Sequence, residues 1–220
     1  EVYNAIQSFF CEAELPRRVT ATSIILLAKV QKPKEFSQFR PISLCNFVNK
    51  IFSKILPRRL ASILPKIISL NQSDFVRGRS ISDNYLLAQE VIVGIKRKAH
   101  GGNVVFKLDM TKTYDRMMWP FLVKVLRAFG FGECWIDMVW RIISNVWFSV
   151  IINGSLCGFF KIARGLRQGD PLLPALFIIG AKVLSRSLNQ LVHHRGFQGF
   201  SVPRGCPTIT HLGYADDVLI

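Results

Sequence analysis

Thr208-Ile209-Thr210-His211-Leu212-Gly213-Tyr214-Ala215-Asp216-Asp217-Val218-Leu219-Ile220 is the stretch on which the reading of this chain turns. Apolar residues alternate with polar or small ones as far as Gly213, and the apolar run resumes after the acidic pair. That pattern on both sides of a short polar tip predicts strand, tight turn, strand. Two carboxylates then sit at the tip of an apolar hairpin, where they repel one another. A divalent cation removes that cost, and hard cations such as Mg²⁺ prefer carboxylate oxygen. The bland alternative is that aspartate is simply a common turn residue. For Tyr-Ala-Asp-Asp alone the bland alternative is favoured, and the rest of the chain has to change the balance.

It does so through a second acidic strand end. Val104, Phe106 and Leu108 alternate with Val105 and Lys107, predicting a strand that ends at Asp109. Between Asp109 and Asp216 the chain reads as two helices, a hairpin and a long helix. Trp119-Pro120 opens the first helix, with proline at a tolerated position, and Gly130 stops it. The second, over about 133–146, lines Ile136, Val139, Ile142, Ile143 and Val146 along one side. Asn153-Gly154 between two apolar runs, 148–152 and 156–160, is a strong hairpin signal. A glycine-bounded basic loop, Gly165-Leu166-Arg167-Gln168-Gly169-Asp170, precedes an apolar helix from Pro171 to near Gly196. Asp170 fits an N-cap for that helix better than a metal ligand. Such a path returns the chain to one sheet without crossing connections. Two acidic strand ends side by side would hold two metal ions, the arrangement used for in-line displacement at phosphorus.

Composition frames this. The 220 residues carry 29 basic and 14 acidic side chains, a net charge of +15. Up to Leu108 there are 17 basic and 7 acidic residues, +10, leaving +5 for the remainder. An excess of this size implies a polyanionic partner, nucleic acid or an anionic membrane surface. Half of the residues are hydrophobic, which excludes a disordered basic tail. A mean hydropathy of +0.27 suggests apolar surface covered by further chain, and the ends of the sequence read as those of a fragment. Cys11, Cys45, Cys134, Cys157 and Cys206 form no C-x-x-C pair and predict neither a disulfide framework nor a zinc site. A reducing, intracellular compartment fits them, nuclear or cytoplasmic. No signal peptide is visible, and the run from Pro171 to Leu184, which carries Lys182, is too short for a membrane span and reads as a buried helix.

The first hundred residues are the more basic half. Residues 23–30 predict a buried strand, 31–38 a polar loop, and Pro41 forces extended geometry at Arg40. A helix over about 47–56 carries Lys50 and Lys54 on one face. Residues 71–80 read as a loop containing Arg77-Gly78-Arg79-Ser80. Ser82 or Asp83 is the expected cap of the next helix, with Leu86, Leu87, Val91 and Ile95 at helical spacing. The run Lys96-Arg97-Lys98 closes that helix. Taken singly, each basic cluster is a solvated face.

Five motifs in order now carry a resemblance. They are Phe39-Arg40-Pro41-Ile42-Ser43-Leu44, Phe75-Val76-Arg77-Gly78-Arg79-Ser80, Lys107-Leu108-Asp109-Met110-Thr111-Lys112, Arg167-Gln168-Gly169-Asp170-Pro171-Leu172 and Tyr214-Ala215-Asp216-Asp217. From about residue 20 onward the chain resembles the reverse transcriptase of LINE-type (non-LTR) retrotransposons, most like those of plants. The resemblance implies an α+β right-hand polymerase with fingers over 1–100, palm over 101–220, an antiparallel palm sheet with packed helices, and no thumb. It implies an RNA-directed DNA polymerase using two Mg²⁺ (or Mn²⁺) ions. Asp109, Asp216 and Asp217 would be the catalytic metal ligands, with the Met110 carbonyl as a further oxygen. Tyr114 would be the aromatic gate against a 2′-hydroxyl, and Gln168 and Gly169 the loop touching the incoming nucleotide. Arg40 and Arg79 would lie near the triphosphate or template, a plain phosphate contact or salt bridge being an equal alternative. Arg77, Lys50, Lys54 and Arg167 would meet nucleic acid. The implied partners are an RNA template, a DNA primer, deoxynucleoside triphosphates, and thumb and endonuclease portions of the same polyprotein, with no membrane.

Four positions depart from the family pattern. Thr113 stands where alanine usually precedes the gate, and Leu173 where serine is usual. Lys182 replaces a glutamate, and Gly213 replaces an apolar residue or alanine before the acidic turn. None removes a catalytic group, but together they resemble drift. A fragment without a thumb is expected to show little activity alone. A degenerate, non-catalytic nucleic-acid-binding remnant of a retroelement is therefore the alternative. A nucleotide cyclase, which shares such a carboxylate site, is disfavoured by the arginine-rich motifs.

Overall fold

The computed structural model describes residues 2–95, 104–110, 112–197 and 208–220. In chain order the first elements are α1 (Val2–Phe10), α2 (Arg17–Thr20), β1 (Ala21–Ala28), β2 (Phe39–Cys45), α3 (Phe47–Leu60), α4 (Leu64–Ile67) and α5 (Ile81–Gly94). Then come β3 (Lys107–Asp109), α6 (Thr113–Arg116), α7 (Trp119–Ala128), α8 (Glu133–Ser144), β4 (Trp147–Ile152) and β5 (Ser155–Lys161). The chain continues through α9 (Leu173–Gln190), β6 (Leu212–Tyr214) and β7 (Asp217–Leu219). The result is a mixed α/β structure in two compact units. Each unit is assembled from both halves of the chain.

One unit comprises residues 1–59 and 114–177. Its sheet has the order β2-β1-β4-β5, with β1 parallel to β4 and the other pairs antiparallel. The Asn153-Gly154 signal holds: both residues take left-handed φ, 50° and 82°, between β4 and β5. The hairpin pairs with β1, a partner more than a hundred residues earlier, and so joins a mixed sheet rather than the expected antiparallel one. Phe52, Leu56, Leu122, Leu126 and Phe177 are fully buried within this unit. Helix α7 ends in a Schellman motif, Gly130 N–H donating to Arg127 and Phe131 N–H to Leu126.

The other unit comprises residues 60–113 and 178–220, with the antiparallel sheet β3-β7-β6. Strand β3 is shorter than expected. Val104 and Val105 lie outside it, although Phe106 exchanges both backbone hydrogen bonds with Ile220. Ser80 caps α5 through Ser82 N–H, so the cap falls two residues before the expected Ser82 and three before Asp83. The expected Lys96-Arg97-Lys98 closure lies outside the described residues. By length and composition alone Leu173–His193 would pass for a membrane span, contrary to the expectation from sequence. Ile178 and Ile179, and Leu173, Ala175, Leu176 and Phe177 of the first unit, are buried, whereas Val183 and Leu184 further along the helix are exposed.

Candidate active site

The acidic hairpin forms where the alternation predicts it, with Leu212 opposite Leu219, Gly213 opposite Val218 and Tyr214 opposite Asp217. Ala215 at the tip takes φ 52°, a left-handed conformation that costs an alanine about 1–2 kcal/mol and persists only under external constraint. The constraint is visible. The Gln72 amide donates to the Gly213 carbonyl at 3.1 Å and accepts from Ala215 N–H at 3.2 Å. Gly213 N–H donates to the Asn71 carbonyl at 2.8 Å, and Tyr214 Oη to the Asn84 carbonyl at 2.6 Å. A Cβ at residue 213 would collide with the Gln72 side chain. Gly213, one of the four departures from the family pattern, is the position that lets Gln72 reach the turn.

Strand β3 then lies directly against the hairpin. Asp109 is the register partner of Asp217, which sets their Cα atoms about 4.5–5.5 Å apart. Met110 N–H donates to the Asp216 carbonyl at 3.3 Å. The three carboxylates therefore project from two adjoining strand ends. Among the described residues no group of three His, Cys, Asp or Glu side chains is placed so that it could hold a metal ion. A basic side chain lies beside the acidic pair. Lys107 Nζ lies 3.5 Å from Asp217 Oδ2, the two side chains being 67% and 42% exposed. At that exposure the pair contributes at most about 1 kcal/mol, so a divalent cation can displace the lysine. The Met110 carbonyl accepts from the Thr113 hydroxyl, the group this chain has in place of the usual alanine. A carbonyl oxygen has a second lone pair, so the donor set still fits a hard, oxygen-seeking ion.

Behind the hairpin, His211 is buried. Its ring nitrogens lie 2.9 Å from the hydroxyls of Thr210 and Ser185. Burial, then the charge of Lys182, lowers its pKa to about 4, so the ring is neutral at pH 7. Lys182, the charge-reversed position, has its own pKa lowered by burial and by Arg186 and Arg79.

Arg79 is committed to structure. Its guanidinium donates to the carbonyls of Gln72 (2.6 Å), Ile68 (2.7 Å), Pro65 (3.2 Å) and Ser69. These are carbonyls around and after α4, and holding them fixes the 69–73 segment that braces the acidic turn. A lysine cannot span four acceptors, since its donors radiate from one nitrogen. Arg79→Lys is therefore expected to destabilise the protein by about 2–3 kcal/mol, read as a lower urea midpoint at unchanged slope.

The other expected site residues lie in the first unit. Tyr114 is half-buried on α6, its ring centroid 4.9 Å from that of Phe177 and its carbonyl accepting from Leu166 N–H at 2.7 Å. The Gln168 side-chain nitrogen is 3.4 Å from Asp115 Oδ1, and the Gln168 backbone carbonyl accepts from Ser43 N–H at 2.9 Å. Gly169 has φ 100°, and a Cβ there would press on the Ser43 carbonyl at 3.3 Å. Arg40, Lys50, Lys54 and Arg77 are exposed. Arg167 is not presented to a polyanion as expected. It is 6% exposed, paired with Asp170 Oδ2 at 2.7 Å and directed at Asn49 and the Ile142 carbonyl. Asp170 also accepts from Leu172 N–H at 2.9 Å, the capping role expected for it. Sequence reasoning missed Gln72, Asn71, Asn84 and Lys107. Lys107 alone carried a signal, since strand residues two apart share a face and Asp109 follows it at that spacing.

A carboxylate pair on a braced β-turn thus lies beside a third aspartate at a strand end. The chain belongs to the reverse transcriptase (RNA-dependent DNA polymerase) family, which it matches over residues 30–220. It is 28% identical along its whole length to the uncharacterized 149 kDa protein of transposon TX1 from Xenopus laevis, of which it spans 16%. Over 137 residues, 62% of the chain, it is 30% identical to a retrovirus-related Pol polyprotein of the type-1 retrotransposable element R2 from Popillia japonica, covering 22% of that protein. These relatives bear out the kinship with LINE-type, non-LTR retrotransposons. Among solved structures the chain resembles apo telomerase from Candida tropicalis, with a TM-score of 0.57 at 15% identity over 99% of this chain and 48% of that one. That likeness is one of fold.

Proposed function

We propose that this chain carries the fingers and palm of an RNA-directed DNA polymerase and adds deoxynucleotides to a primer on an RNA template. The observation that carries the reading is the register pairing of Asp109 with Asp217, with Asp216 beside it. Asp109, Asp216 and Asp217 would hold divalent cations, Mg²⁺ or Mn²⁺, with the second lone pair of the Met110 carbonyl as a further oxygen donor. Ions held there would supply the chemistry of lowering the pKa of the primer 3′-hydroxyl and stabilising charge on the departing pyrophosphate. The chain's own residues orient the reactants. Gln72, Asn71 and Asn84 hold the acidic turn in its strained form, and Lys107 balances Asp217 until a cation replaces it. Gly169 lets backbone approach the incoming nucleotide closely. We assign the β4–β5 hairpin to the fingers, since β4 hydrogen-bonds to β1. RNA and DNA as partners imply an intracellular setting, nuclear or cytoplasmic. Thumb and endonuclease portions of a longer polyprotein would complete the machine.

Primer extension by the longer protein containing this chain tests the reading. With an RNA template, a DNA primer, deoxynucleotides and Mg²⁺, Asp216→Asn is expected to lower the rate by about a hundredfold or more. Template binding without extension by the parent protein would select the degenerate remnant instead.

Tyr114 is proposed as the gate that presses on the sugar. Tyr114→Ala is then expected to raise ribonucleotide incorporation about tenfold or more relative to deoxynucleotides, since a filled pocket excludes a hydroxyl sterically. Unchanged sugar discrimination in the same assay returns Tyr114 to a packing role against Phe177.

A further inference from the structure

Residues directly opposite one another across a ladder share a face of the sheet. Ser23 pairs with Leu44 on one side and with Ser149 on the other, so these three share a face. Leu27 with its partner Arg40, and Trp147 with its partner Lys161, lie on that same face two or four residues along. None of them is buried, and Leu27 and Leu44 are 52% and 43% exposed. The opposite face carries Thr22, Ser43, Cys45 and Phe148, all buried. The four-stranded sheet is thus packed on one side and open on the other.

The open side has a particular chemistry. The rings of Trp147 and Phe159 stack with centroids 4.7 Å apart and planes 11° from parallel, and Phe159 remains 55% exposed. Arg17 and Lys161 lie over the Trp147 ring at 4.9 and 5.1 Å. Among the described residues neither has a carboxylate within ion-pair distance. The four strands contain no acidic residue. A merely solvated sheet face carries charges of both signs. This one has cations without counter-charges around an aromatic stack that ends in solvent.

We propose that this open face, centred on the Trp147–Phe159 stack and flanked by Arg17 and Lys161, binds single-stranded nucleic acid. Bases extend the stack on the outer face of Phe159, while the two cations meet phosphates. A duplex hides its base faces and cannot do this. The site uses none of the aspartates and needs no divalent ion, so it stands whether or not the polymerase reading does.

Fluorescence anisotropy in EDTA tests it on the unmodified chain, using a labelled deoxythymidine dodecamer and an abasic dodecamer of equal charge. The abasic strand is expected to bind about fivefold to a hundredfold more weakly, the range that stacking of one base supplies. Phe159→Leu keeps the apolar volume but removes the ring, and is expected to lower thymidine-strand affinity to the abasic level without changing abasic binding. Arg17→Gln combined with Lys161→Gln is expected to weaken binding of both strands. It should also flatten the slope of log affinity against log salt by about 0.7 for each phosphate no longer neutralised. Equal affinity for the two strands, or no effect of Phe159→Leu, overturns the proposal. Binding to phosphatidylserine vesicles that depends on Phe159, with no preference for the base-bearing strand, assigns the face to a membrane and overturns it as well.

Discussion

Asp170→Ala is expected to cost about 3–5 kcal/mol, a large part of the roughly 5–15 kcal/mol that holds a domain folded. Asp170 and Arg167 form an ion pair at 2.7 Å with both side chains 4% exposed. Removing the carboxylate leaves a guanidinium in the interior facing only neutral groups, Asn49, the Ile142 carbonyl and Cys45. It also removes the acceptor for Leu172 N–H at the start of α9, a capping loss of about 1 kcal/mol. The Cys45 thiol shows the same low-dielectric setting, since burial raises its pKa despite the charge of Arg167. Thermal unfolding followed by circular dichroism should show the midpoint falling by roughly 10 °C. The double variant Arg167→Met with Asp170→Leu should recover much of that loss, because a buried ion pair replaced whole by apolar groups is often neutral. A loss below about 1 kcal/mol for Asp170→Ala would mean that water reaches the pair in solution.

The second large effect concerns the acidic trio. In Mg²⁺ at a hundred times its dissociation constant, mass action is expected to stabilise the chain by about 2.7 kcal/mol. Asp109→Asn should abolish most of that gain. In EDTA the sign reverses: the Asp109→Asn variant should be as stable as the parent or slightly more so, since one of the three neighbouring negative charges has gone. Lys107 offsets only part of that repulsion, because at 3.5 Å and largely exposed it contributes little. Calorimetry with and without Mg²⁺ distinguishes the cases. Equal Mg²⁺-dependent shifts in parent and variant would remove Asp109 from the metal site, whatever its register with Asp217.

Where a stretch of chain made its own structure, sequence sufficed. The apolar arms around Tyr214-Ala215-Asp216-Asp217 specify a hairpin, and Asn153-Gly154 supplies two residues tolerant of left-handed φ. Pro120 and Gly130 bound α7, and a single helical stripe marks α8. These signals act within a few residues and need no knowledge of partners. The pairing of the Asp109 strand with the acidic hairpin was also legible, since two apolar strands ending in aspartate invite pairing. Tertiary structure decided which groups were taken out of water, and against what. Arg167 has the same local look as Arg77, yet one is buried on Asp170 and Asn49 while the other stays in solvent. Gly213 has no local signal for its role: Gln72, about 140 positions away, fills the space a side chain would have taken. The parallel pairing of β1 with β4 had no local signal, because period-two alternation names the faces of a strand but not its neighbours. Spacing and turn chemistry are fixed by backbone geometry within one segment. Desolvation, ion pairing and strand neighbours depend on the free energy of distant surfaces meeting, which no single segment encodes.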